Sequence, residues 1–190
     1  MSFAMSYVAA AVIFALLFYG IWIFNRLVRE RNLVREGWSG IDVQLRRRTD
    51  LVPALVETVR AYAAHERKLF ENIAAIRTAS IAASNVKTQE DAERALEGAL
   101  SRLIALQEAY PNLKADQNFL KLQEQLAEIE DHLQMARRYY NGSVRNLNIA
   151  VQSFPNVLIA RPFGFEEAEF FEADDAGRAA PNVHFERAAS

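Results

Sequence analysis

Apolar or aromatic residues fill every position from Tyr7 to Phe24 except Gly20, and Phe3, Ala4 and Met5 extend the run forward. About 20 such residues cross a ~30 Å hydrocarbon core as a helix, so the block predicts a transmembrane helix. Tyr7 and Trp22 stand near its ends, where aromatic rings favour the interface. No Lys or Arg precedes Tyr7, the run exceeds the ~7 to 15 residues of a signal-peptide core, and Asn25-Arg26-Leu27 offers no small-x-small cleavage site. The segment is therefore expected to remain attached as an anchor.

Beyond Asn25 the apolar positions step alternately by four and three: Val34, Trp38, Ile41, Leu45, then Val52, Leu55, Val59, Tyr62, then Leu69, Ile73, Ile76. The phase persists through Pro53, which predicts one kinked helix over 25–80, roughly 80 Å long. Gly37-Trp38-Ser39-Gly40 is a second weak point on it. Arg48 and Glu66 fall on the same stripe, so the seam either carries polar pairs or is partly exposed. Thr88 with Asp91 makes a capping-box-like start for a second helix, whose stripe is Leu96, Ala99, Leu103, Leu106 and Tyr110. Pro111-Asn112 turns the chain, and a third stripe runs through Phe119, Leu122, Leu126, Ile129, Leu133, Ala136 and Tyr140. Asn141-Gly142 resembles a helix stop, yet Val144, Leu147 and Val151 continue the stripe, leaving three helices or four.

The expected fold is all-α: an N-terminal transmembrane anchor (1–25), an antiparallel bundle of three or four long helices (26–161), and a C-terminal segment (162–190). The second helix is too short to cover the third. An uncovered stripe is thus expected to meet a second copy or a partner helix.

Composition and charge refine this picture. Phe154, Phe163, Phe165, Phe170, Phe171 and Phe185, half of the 12 phenylalanines, lie where the helical pattern has ended. The aromatic segment from Phe163 to Phe171 either packs on the bundle or serves as a docking segment, with a flexible end beyond it. Residues 25–48 hold seven arginines against three acids, and residues 161–190 hold three arginines against seven acids. Arg26, Arg29, Arg31 and Arg35 follow the span, which predicts an exterior N-terminus and a cytoplasmic bundle. The same four side chains are candidates for contact with anionic lipid headgroups.

With no cysteine, disulfides, thiolate metal centres and catalytic thiols are excluded. His65-Glu66 opens like a metalloprotease helix, but Leu69 stands where the second histidine is required; His132 and His184 also lack an i, i+4 partner. The seven glycines are dispersed rather than gathered into a phosphate loop, and Arg46-Arg47-Arg48 would spread around a helix without stacking aromatics nearby. No metal, cofactor or nucleic acid is expected. The notable polar set is Glu130, Arg137, Asn141 and Asn148, spaced seven, four and seven along one helical face, with Tyr140 beside it. It reads as a solvent face, a buried register-fixing network or a site, with Asn141 and Asn148 placed to reach another helix.

Several strings stand together in order. They are Trp38 to Asp42, Gln44 to Arg48 running into Asp50-Leu51-Val52-Pro53, Val56-Glu57-Thr58-Val59, Tyr62 with His65-Glu66, and Tyr110 to Ala115. Ala136-Arg137, Tyr140-Asn141, Phe154-Pro155, Phe163-Gly164-Phe165, Arg178, Pro181, Val183 and Phe185 follow. This order resembles the LemA family over essentially the whole chain. Ala54, where relatives often carry asparagine, and Leu147, where a tyrosine often precedes the asparagine, depart from it. The resemblance implies a bacterial inner-membrane protein with one N-terminal span, a long-helix bundle on the cytoplasmic side, and kinship to a magnetosome membrane protein. It carries over no catalytic residue. The expected role is a membrane-anchored scaffold or adaptor acting through protein contacts, self-association among them, with a lipid-binding or membrane-organising protein as the alternative. An enzyme using Glu130, Arg137, Tyr140 and Asn141 lacks a nucleophile, metal or cofactor motif.

Overall fold

The computed structural model describes residues 2–83 and 85–171, with side chains from residue 5 onward. Its secondary structure is helical: α1 (Ser2–Arg60), α2 (Arg67–Ala82), α3 (Val86–Ala105), a 3-10 turn (Leu106–Glu108), α4 (Pro111–Lys114), α5 (Gln117–Gln152) and α6 (Val157–Ala160). No strand occurs among the described residues.

Helix α1 is 59 residues long, about 90 Å, and passes without a break from the apolar block into the bundle. From Met5 to Trp22 its large side chains are exposed on all sides, for example Phe14 at 64% and Leu17 at 59%. The core helix of a soluble domain would bury such residues. Burial begins at Ile23 and Leu27.

Helix α5 lies antiparallel to α1 in the most extensive contact of the fold. Gly20 faces Ile159, Gly37 faces Tyr140, Arg48 meets Glu130 and Tyr62 meets Asp116, in opposite order along the α1 and α5 segments and their immediate extensions. Toward the apolar end, Ile23, Leu27, Ile41, Leu133, Val144 and Leu147 form one core. At the far end the α2–α3 hairpin completes a second core, where Val52, Val59, Phe70, Ile73, Leu96, Leu103 and Phe119 pack together.

The single helix expected over 25–80 is two helices. The chain leaves α1 at Arg60, turns through Ala61–Glu66 and returns as α2. No glycine or proline forces this break. A straight continuation would leave Phe70 and Ile73 without cover, whereas the fold-back buries both against α1 and α3. Four long helices result, but the extra one comes from this division and not from Asn141-Gly142, across which α5 is continuous.

Pro53 does lie inside α1, and its missing N–H orphans the carbonyl of Thr49. Arg77 of α2 supplies the replacement, its Nε donating to that oxygen at 2.9 Å. The proline thus becomes an attachment point for α2. Gly37-Trp38-Ser39-Gly40 is uninterrupted helix, and Gly37 is a packing site: a Cβ there would stand 2.9 Å from the Tyr140 Cα.

Two helix starts also differ from expectation. Asn85, not Thr88, caps α3; its Oδ1 accepts from the Thr88 N–H at 2.8 Å while Thr88 Oγ1 accepts from the Asn85 N–H. The helix that carries the third stripe, α5, begins at Gln117 and not directly after the Pro111-Asn112 turn, because Asp116 caps it by accepting from the Phe119 N–H at 2.9 Å. Tyr62 donates to the other Asp116 oxygen at 2.8 Å. The Phe119 and Tyr62 bonds hold the Asp116 carboxyl below the usual carboxylate range, and the shared bond raises the Tyr62 phenol.

Arg77→Met is expected to destabilise the full chain by about 1–3 kcal/mol in thermal or urea unfolding, the cost of an unsatisfied buried carbonyl. Pro53→Ala, which returns an N–H to Thr49, should recover most of that loss. An Arg77→Met penalty of the same size with and without Pro53→Ala would mean that the proline does not create the need for Arg77.

Candidate functional site

The polar file of α5 faces a groove bounded by α1, and its members divide between two neighbourhoods. Glu130 belongs to a charged cluster between the two apolar cores. Arg48, on the heptad stripe of α1 with its side chain 4% exposed, places Nη1 3.3 Å from Glu130 Oε2 and 3.4 Å from Glu93 Oε2. The stripe therefore carries polar pairs. Ser80 donates to Glu93 Oε1 at 2.8 Å, and Gln89 Nε2 lies 3.4 Å from the same oxygen. Burial pushes the Glu93 carboxyl up, outweighing Ser80, Arg48, Arg137 and Gln89, which all favour its charged form.

The rest of the file holds the C-terminal segment. Asn148 donates from Nδ2 to the Ala168 carbonyl at 3.0 Å and accepts from the Ala168 N–H at 2.8 Å. Asn141 makes the same pair with Phe171, both at 2.8 Å. A heptad rises about 10.5 Å along a helix, and three extended residues cover about 10 Å. The asparagine spacing therefore matches that of the peptide units they hold. Tyr140 adds a third bond, its hydroxyl donating to the Glu169 carbonyl at 2.8 Å. Burial raises the Tyr140 phenol, assisted by the Glu169 and Glu90 charges.

Aromatic contacts fix the two ends of this segment. Phe165, 4% exposed, meets Phe24 edge-on at 5.6 Å and lies under the Arg31 guanidinium at 4.8 Å. Phe171, 3% exposed, rests against Trp38 at 6.3 Å and under Arg137 at 4.9 Å. Trp38 also packs on Tyr140, 5.6 Å between rings. Gly164 has φ +68, the left-handed conformation that glycine adopts without strain, where the chain leaves α6 for the groove.

The structure thus brings together Arg137, Tyr140, Asn141, Asn148, Phe165 and Phe171. Asn141 and Asn148 grip the backbone of the C-terminal segment instead of another helix. Phe163 and Phe170 point outward, 61% and 48% exposed. Arg26, Arg29 and Arg35 are exposed on α1, and Arg31 is half-buried with its guanidinium over Phe165. His65 and His132 are exposed, and no group of three His, Asp or Glu placed to hold a metal occurs among the described residues. The expected flexible end, with His184 and Phe185, lies outside the described residues.

Glu93 as a partner of Arg48, and Ser80 and Gln89 as partners of Glu93, were not legible. The available signal was that Gln89 and Glu93 extend the stripe of Leu96, Leu100 and Leu103 by the same four-three steps, which puts an acid on one buried seam opposite an arginine on another.

These features define a class: all-helical proteins in which a membrane-anchor-like apolar helix continues into a bundle whose α1–α5 groove is closed by a clamped C-terminal segment. The LemA family model matches residues 37–185, and the chain belongs to that family. It is similar to the magnetosome protein MamQ 2 of Paramagnetospirillum magneticum, 24% identical with 81% of this chain and 66% of that protein covered. It is also similar to the magnetosome protein MamQ of Magnetospirillum gryphiswaldense, 26% identical with 73% and 61% covered. Protein LemA of Metamycoplasma hominis is 23% identical with 88% and 80% covered. The chain spans somewhat less than two thirds of the length of the MamQ proteins that it matches.

Asn141→Ala or Asn148→Ala removes two bonds to the segment, a loss of about 1–3 kcal/mol, which corresponds to roughly ten-fold or more in the open population. Limited proteolysis within 165–171 is expected to accelerate accordingly, while Asn146→Ala, exposed on the same helix, leaves the rate unchanged. Equal rates in all three variants would contradict the clamp.

Proposed function

We propose that this protein is a membrane-anchored helical scaffold that works through protein contacts, with no catalysis required of it. The observation that carries the reading is the continuity of α1, which makes the exposed apolar segment and the buried bundle seam one rigid element. A helix of that kind positions the bundle relative to a bilayer. The likeness to magnetosome proteins supports a membrane-side role, and the arginines after the apolar block support a bacterial inner-membrane orientation with the N-terminus outside and the bundle cytoplasmic.

Two further features favour binding over chemistry. The face considered for an enzyme is engaged by Arg48 and by the C-terminal segment. On the opposite side of α5, Met135, Tyr139 and Ile149 are 52%, 47% and 56% exposed, and with Gly142 and Asn146 they follow four-three spacing. This is an apolar stripe of the kind that receives a helix, and a second copy of the chain is the proposed occupant. The lipid-binding alternative keeps Arg26, Arg29, Arg31 and Arg35 as candidate headgroup contacts, Arg31 with its guanidinium over Phe165.

Because the chain has no cysteine, single cysteines report cleanly on this stripe. Met135→Cys and Ile149→Cys in the full chain, cross-linked in membranes with a short thiol reagent, should give a self-dimer. Lys87→Cys, exposed on α3, should not. Equal yields at all three sites, or no adduct at any, would contradict self-association through α5.

A further inference from the structure

The turn between α5 and the clamped segment exposes large apolar side chains: Phe154 at 80%, Leu158 at 62% and Phe163 at 61%. Their position along α1 gives them a meaning. Ile159 reaches to 3.8 Å from where a Cβ on Gly20 would stand, and Phe163 meets Phe24 edge-on at 5.2 Å. Gly20 and Phe24 belong to the last turn of the apolar block, so the tip of α6 lies about 6 Å inside its final apolar residue. Interfacial protein segments bury their apolar faces by a similar ~5–10 Å into the headgroup–acyl boundary.

Charge follows the same geometry. Arg26 lies over the Trp22 ring at 5.8 Å, and Trp22 stacks on Tyr19 at 5.9 Å, a basic and aromatic belt at this height. Arg161 is exposed on the same corner. The acids Glu166 and Glu167 come after Phe165, on the segment that runs away from the apolar block toward Trp38.

We propose that the 154–163 corner is a second membrane-contacting surface, in which Phe154, Leu158 and Phe163 enter the headgroup–acyl boundary beside the anchor helix while Arg26 and Arg161 meet lipid phosphates. The inference rests on the membrane reading of α1. Its consequence is that the chain touches the bilayer at two points, which fixes the rotation of α1 about its axis and therefore the direction in which the α5 stripe faces.

The test uses the full chain in liposomes of zwitterionic and anionic phospholipid, spin-labelled one site at a time through Phe154→Cys, Leu158→Cys or Phe163→Cys. Collision with oxygen, concentrated in lipid, is compared with collision with a water-soluble nickel complex. Val12→Cys reports the anchor and Leu120→Cys, at the far end of the bundle, reports bulk water. Lipid-type accessibility at the three corner sites is the expected result. Water-type accessibility at Leu158→Cys and Phe163→Cys, with Val12→Cys still in lipid, would overturn the corner alone, whereas water-type accessibility at Val12→Cys would overturn the anchor as well. Shielding of the corner sites from both reagents would replace lipid with a protein occupant and also overturn the proposal.

Discussion

The close approach of α1 and α5 at Gly37 is the contact on which the rest of the structure depends. With only hydrogen on the Gly37 Cα, α5 comes near enough that its Tyr140 backbone takes the space a side chain would fill. That proximity sets Trp38 against Tyr140, brings Arg48 to Glu130 and leaves a groove narrow enough for Asn141 and Asn148 to hold a peptide segment between the helices. It also fixes how far α5 reaches back along α1, and so places α6 beside Gly20.

Apolar packing alone does not specify this alignment. The stripes on α1, α3 and α5 repeat by heptads, and a slip of one heptad would still face apolar residues with apolar residues. Arg48 breaks the degeneracy. Its buried guanidinium is paired through Nη1 with Glu93 and Glu130, and a slipped alignment would strand the charge at a cost of about 3–5 kcal/mol. The cluster contributes register, since a buried ion pair adds little net stability over apolar residues of the same shape. Its place between the two cores also joins the α2–α3 hairpin to the long α1–α5 pair.

The helical class, the apolar anchor-like block and the three stripes were legible because each rests on local periodicity. The division at Arg60 was not, since nothing in residues 61–66 stops a helix; the cause is long-range burial of Phe70 and Ile73. The file of Glu130, Arg137, Asn141 and Asn148 could be read as one face, but its partner could not. Asparagine at heptad spacing looks the same whether it meets a helix or grips the backbone of a distant segment. Phe165 and Phe171 were readable as an aromatic excess without a place to go, and only the fold supplies Phe24, Trp38, Arg31 and Arg137 to receive them.

The most direct test of the central contact is the unfolding free energy of two glycine-to-alanine variants of the full chain. Gly98, inside α3 with open space around it, isolates the intrinsic helix preference, so Gly98→Ala should stabilise by about 0.5–1 kcal/mol. Gly37→Ala gains the same preference but drives a methyl against the Tyr140 backbone, and overpacking of about 1–3 kcal/mol should make it net destabilising. Opposite signs for the two variants are the result expected. Stabilisation by both would mean that α1 and α5 do not approach as closely as the rest of the structure requires.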